Sequence, residues 1–88
     1  MNVTPSRILC VDDEPNILRA LRWLLQKEFE VVTASSGHEA LALIRQHDFD
    51  VIISDQRMPA MTGVELLREA CQIAPRAMRI LLTGYSDL

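Results

Sequence analysis

The stretch RILCVDDEPNI, residues 7–17, sets a short apolar, partly β-branched run against three consecutive acids, Asp12, Asp13 and Glu14, and follows them at once with a proline. A run of this kind, bounded by turn residues, suits a strand buried on both faces. Pro15 suits the first turn of a helix. Behind it Ile17, Leu21, Leu24 and Leu25 recur at i, i+4, i+7 and i+8, the spacing of one helical face. The stretch reads as strand, acidic turn and helix, and so as the opening of a βαβ unit.

Working outward, EVVTA (30–34), DVIIS (50–54) and RILLT (79–83) are three more strand-like runs of the same length. Between them GHEALALIRQH (37–47) and GVELLREACQIA (63–74) repeat the helical habit, and Gly37, Gly63, Pro59 and Pro75 fall at the joints. Strand and helix alternate through four strands and three helices, the pattern of a parallel, doubly wound α/β sheet. The chain has no internal repeat, linker or low-complexity tract. It ends five residues after the fourth strand, which leaves the apolar segment ILLT expected at a sheet edge.

At 88 residues one domain with one small core is expected. Twelve acidic and nine basic residues give a net charge of -3 with no run of like sign, which argues against direct nucleic-acid binding. Cys10 lies in a strand pattern and Cys71 in a helical one, so both read as small buried hydrophobes in a reducing compartment. With neither an apolar leader nor a membrane-length span, a cytoplasmic location is expected.

In open α/β sheets ligands bind outside the carboxyl ends of the strands. The first strand ends in Asp12 and Asp13, the third in Asp55, and the fourth in Thr83 and Gly84. If these strands are neighbours, three carboxylates and a hydroxyl share one cleft. Carboxylates that close raise one another's pKa unless a cation intervenes. The hard oxygen donors favour Mg2+, and the lack of His or Cys at these positions disfavours zinc. Such a cluster suits phosphoryl transfer, with an Asp able to act as covalent nucleophile. Taken singly, each residue has a plainer reading: Asp12 or Asp13 as a helix cap, Asp55 as a turn residue, Thr83 as the end of a strand. What favours the site is that three separate strand ends supply oxygen ligands suited to one reaction.

The acidic pair in ILCVDDEPNI, the segment DQRMPAMTG (Asp55, Met58, Pro59, Gly63) and ILLTGYS together resemble the receiver domain of two-component response regulators, in order and spacing, from Arg7 onward. The resemblance implies a flavodoxin-like doubly wound sheet of strand order 2-1-3-4 here. It implies that Asp55 takes a phosphoryl group from a phosphohistidine of a histidine kinase or phosphotransfer protein. It implies Mg2+ held by Asp12, Asp13, Asp55 and the backbone carbonyl of Arg57, and Thr83 as the switch hydroxyl. Met58, Pro59, Gly84 and Tyr85 would flank the site, and Arg57 and Tyr85 occupy positions where the family varies side chains to set the lifetime of the phosphorylated state. A full receiver adds a fourth helix, a fifth strand with a lysine and a switch aromatic, and a fifth helix. On this reading residues 1–88 are a C-terminally incomplete receiver. Lys27, the only lysine, falls on the first helix and does not replace the absent one.

Two other readings compete. An aspartyl-phosphate phosphatase or phosphotransferase resembles a different motif, with a second Asp two residues after the nucleophile as general acid; Arg57 stands there and cannot act so at neutral pH. A truncated or degenerate receiver could instead serve as a phosphorylation-independent interaction or dimerisation module. Homodimer contact is expected through the exposed fourth strand or a face bearing Trp23, which at about 100° per residue lies about 150° from the centre of the helical apolar stripe. Trp23 lying across the stem of Lys27 is the plainer alternative. His38 and His47 read as solvated helix residues. The output domain is not in this chain; the wording resembles receivers joined to HD-GYP phosphodiesterases or to ATP-dependent transcriptional activators.

Overall fold

A computed structural model describes residues 5–83. Strands β1 (Arg7–Val11), β2 (Glu30–Ala34), β3 (Val51–Asp55) and β4 (Met78–Leu82) alternate with helices α1 (Pro15–Leu25), α2 (Gly37–Gln46) and α3 (Gly63–Ile73). All strand pairs are parallel and the order is β2-β1-β3-β4. The expected topology is therefore observed. β3 begins and ends one residue later than the sequence pattern suggested, and β4 one residue earlier, so Asp55 closes β3 and Thr83 stands just beyond β4.

The sheet's two faces are covered unequally. On one, Leu9, Val11, Ile52 and Ala34 pack with Ala40, Leu41 and Ile44 of α2 and Leu66 and Ala70 of α3 in a single buried cluster. On the other, Ile8, Cys10 and Val31 are buried beneath Leu18, Leu21 and Leu25 of α1 and Phe29. Helix α1 itself buries no residue completely. Of the expected apolar face Ile17, Leu21, Leu24 and Leu25, Leu21 and Leu25 do point toward the sheet, joined by Leu18. Ile17 and Leu24 lie on an exposed flank, Leu24 at 71%. Met78, Ile80 and Leu82 pair with Val51, Ile53 and Asp55 and so share the α1 face. Among the described residues no element covers them, and Met78 is 61% exposed.

The outer edges differ as well. At β2 the guanidinium of Arg22 donates to the Val31 carbonyl at 3.1 Å and to Thr33 Oγ1 at 3.4 Å, occupying backbone that would otherwise offer itself to another strand. Arg7 pairs with Glu30 across the β1–β2 ladder at 2.7 Å. Trp23 is 70% exposed, turned away from the sheet as its spacing predicts, and the shallow surface beside it is lined by Arg19, Ala20, Arg22 and Gln26. Lys27 follows the C-cap Gln26 rather than lying within α1, a small correction to the sequence reading. Among the described residues no helix is long and apolar enough to cross a membrane.

The asymmetry has a mutational signature. Leu66→Ala, at a fully buried position, should cost about 2–5 kcal/mol in urea unfolding, whereas Leu24→Ala on the open flank of α1 should cost under about 0.5 kcal/mol.

Candidate functional site

Because β1 and β3 are adjacent and parallel, with Val11 opposite Ser54, Asp12 and Asp55 emerge side by side at the carboxyl edge of the sheet. Asp13 follows directly. Carboxylate oxygens of Asp12, Asp13 and Asp55 all lie within 4.8 Å of one another. Asp12 is 5% exposed, Asp55 is half-buried and Asp13 is exposed.

The turn after β1 is built around Asp12. Its backbone N–H donates to the Ala34 carbonyl at 3.2 Å, and its Oδ1 accepts from the Glu14 N–H at 2.9 Å. The N-cap of α1 is Glu14, with extended backbone and no side-chain cap. Neither Asp12 nor Asp13 therefore caps α1, and the plainer reading of the acidic pair is set aside: Asp12 spends its oxygen on the turn, one residue before the helix begins. Burial raises the pKa of the Asp12 carboxyl above its ordinary value; the Glu14 N–H pulls it partly back, and the charges of Asp55, Asp13 and Glu14 push it further up.

The segment after Asp55 is held on several sides. Ser54, fully buried, donates its hydroxyl to the Asp55 carbonyl at 2.9 Å. A Cβ on Gly63 would run into that same carbonyl and into the Leu81 side chain, so only glycine lets α3 approach this closely. The Met61 N–H bonds to the Pro59 carbonyl at 2.7 Å around Ala60, whose φ of 68° lies in the left-handed region. Thr62 and Glu65 then form a reciprocal capping box at the start of α3.

Asp12, Glu14, Ile17, Asp55, Leu82 and Thr83 line one open groove. A larger cavity, between the ends of α2 and α3 at the opposite edge of the sheet, is lined by Ile44, Phe49, Ile73 and Arg76 among others. Its Asp50 already accepts the Arg7 N–H at 2.8 Å, and no group of three converging ligands is found there. The carboxyl edge is the chemically organised site.

Residues 8–88 match the response regulator receiver domain family. This chain belongs to that family. The receiver is 45% identical over 87 residues to the hydrogenase transcriptional regulatory protein HoxA of Cupriavidus necator, covering 99% of the chain and 18% of HoxA; it thus spans about a fifth of that relative's length. Among solved structures it is similar to a CheY-like receiver domain protein from Methanospirillum hungatei (TM-score 0.90, 36% identity, 97% of this chain and 69% of that one). It is also similar to the response regulator TrrA from Thermotoga maritima in complex with Mg(2+)-BeF (TM-score 0.86, 44% identity, 92% and 71%).

Within the receiver the acidic triad and Thr83 converge as their strand ends predicted. Met58, on the site loop, is buried in the core cluster with α2 and α3, as its plainer reading as a packing residue has it. Arg57 and Pro59 are exposed on the loop. Gly84 and Tyr85 lie outside the described residues. Sequence reasoning missed Gln56, Ser54 and the apolar wall of Ile17 and Leu82: a single Gln or Ser next to an Asp carries no periodic or motif signal of its own.

The raised Asp12 value fixes a pH dependence. In metal-free protein the protonated carboxyl favours the folded state; that contribution is complete below the ordinary Asp value of about 3.9 and is lost as pH rises through the raised value. Asp12→Asn keeps an oxygen for Glu14 and removes the charge. It should raise the metal-free melting temperature at neutral pH by about 2–6 °C and flatten the pH dependence of melting.

Proposed function

We propose that this receiver accepts a phosphoryl group on Asp55 in a Mg2+-dependent reaction and thereby switches the contacts of a partner or output domain. The observation that carries this reading is the convergence of three carboxylates at neighbouring strand ends. A donor set of carboxylate oxygens alone suits a hard divalent cation, which would offset the like charges that, after burial, push the Asp12 pKa up. Asp12, Asp13 and Asp55 would hold the ion, with the Arg57 carbonyl as the expected fourth protein ligand. When bound, Mg2+ neutralises the charge that develops on the transferring phosphoryl oxygens.

The chain's own part is positional. A carboxylate oxygen of Asp55 attacks the phosphorus of a partner's phosphohistidine. The P–N bond breaks, the imidazole nitrogen leaves with the bonding pair and takes up a proton, and an acyl phosphate forms on Asp55. Such a transfer owes most of its rate to alignment and charge neutralisation. The closeness of Gly63 to the Asp55 carbonyl and the bond from Ser54 keep the nucleophile's backbone in place. Thr83, which lines the same groove as Asp12 and Asp55, is the hydroxyl we assign to a phosphoryl oxygen. It would draw the end of β4 with it and carry the state of Asp55 to the surface.

The donor would be a histidine kinase or a phosphotransfer protein. The similarity to HoxA, named as a transcriptional regulator, makes a transcriptional output domain the first to test. The exposed Met78 and Leu82 on β4, and separately the exposed Trp23 on α1, support association of the 88-residue chain with itself.

Incubated with a small phosphodonor such as phosphoramidate and with Mg2+, the protein should gain one hydroxylamine-labile phosphoryl group. Asp55→Asn should abolish it, and Asp13→Asn should slow it by about tenfold or more. Undiminished labelling of the Asp55→Asn protein would refute the assignment. In sedimentation, the 88-residue chain should show a concentration-dependent mass that Met78→Glu shifts toward monomer; a wild-type monomer at every concentration would contradict self-association.

A further inference from the structure

One residue of the site neighbourhood has a role that neither its type nor its place in the motif announces. Three polar atoms of Gln56 meet two other segments, the end of β4 and the start of α3. Its N–H donates to the Leu82 carbonyl at 3.2 Å, its carbonyl accepts from the Gly63 N–H at 3.1 Å, and its side-chain Oε1 accepts from the Val64 N–H at 2.9 Å. Gly63 and Val64 are the first two residues of α3, whose opening N–H groups have no partner inside the helix. The third, on Glu65, goes to Thr62 Oγ1 at 3.2 Å. Of these three donors, two are therefore satisfied by the residue adjoining Asp55, and only one by the N-cap.

The consequence concerns position. The peptide joining Asp55 to Gln56 is fixed to β4 by its N–H, and its carbonyl is met by the Ser54 hydroxyl and lies against Gly63; the next peptide and the Gln56 side chain are fixed to the start of α3. Those two peptides span the chain from the Asp55 Cα to the Arg57 Cα, so fixing them limits how far these two residues can shift relative to the start of α3. We infer that Gln56 is a positioning residue: its side-chain amide clamps the first turn of α3 onto the end of β3 and thereby holds Asp55 in register with Asp12 and Asp13 for the cation. This rests on the reading of Asp12, Asp13 and Asp55 as the Mg2+ site.

A merely structural cap and a positioning clamp make different demands, and Thr62 separates them. Thr62→Ala removes a cap from the same helical turn without touching the residue next to Asp55. Gln56→Met keeps the length of the side chain and removes the acceptor. In metal-free protein Gln56→Met should speed hydrogen exchange of the Val64 amide, and in Mg2+ titrations followed by amide NMR it should weaken binding by about fivefold. Thr62→Ala should leave Mg2+ affinity within about twofold of wild type. Gln56→Asn, which keeps an amide but shortens its reach, should weaken Mg2+ binding in the same direction and stands in if the Met variant does not fold. Equal Mg2+ affinity of Gln56→Met and wild type, or an equal loss in Thr62→Ala, overturns the inference. Asp12→Asn is the control: if it binds Mg2+ as wild type does, the metal-site reading itself fails, separately from the role of Gln56.

Discussion

Three carboxylates whose oxygens lie within 4.8 Å of one another repel, and the fold holds them there. Two of them, Asp12 and Asp55, are delivered by hydrogen-bonded backbone. Asp12 is anchored to β2 through the Ala34 carbonyl, and Asp55 ends a central strand with β1 on one side and β4 on the other. Parallel pairing brings these strand ends to the same edge, so the closeness of the carboxylates is a consequence of topology. The raised pKa of Asp12 reflects its burial first and the neighbouring carboxylate charges second.

Support for the site is lopsided. The face covered by α2 and α3 carries the dense core, and it is this core that presses Gly63 against the Asp55 carbonyl and takes Met58 inward. The face beneath α1 is thinner, with Ile17 and Leu24 exposed on one flank of the helix and Met78 exposed on β4. Packing support thus reaches Asp55 from the α3 side, while the groove side, lined by Ile17, Leu82 and Thr83, is open. A close-packed interior transmits small displacements, whereas an exposed edge accommodates them.

Much of this was legible in the residues. Four apolar runs separated by helical periodicity predicted the sheet, and acids at the ends of the first and third runs predicted the cluster, because strand ends in a parallel sheet are forced together once the order is known. What could not be read was local. The rotation of α1 depended on which flank finds a neighbour, so Ile17 and Leu24 were expected inside and lie outside. The acidic pair looked able to cap α1, yet the helix starts behind Glu14 and Asp12 serves the turn. Gln56 gave no signal because its role depends on a contact eight residues along the chain that only the folded loop creates.

The central claim is that these strand ends form one cation-dependent phosphoryl site. Amide NMR of the metal-free protein against protein saturated with Mg2+ and beryllofluoride, a mimic of the phosphoryl group, addresses it most directly. Shifts concentrated at Asp12, Asp13, Asp55 and Thr83, dependent on Mg2+ and absent in Asp55→Asn, are the predicted result. A spectrum unchanged by Mg2+ and beryllofluoride, or one that changes equally in Asp55→Asn, would contradict the account.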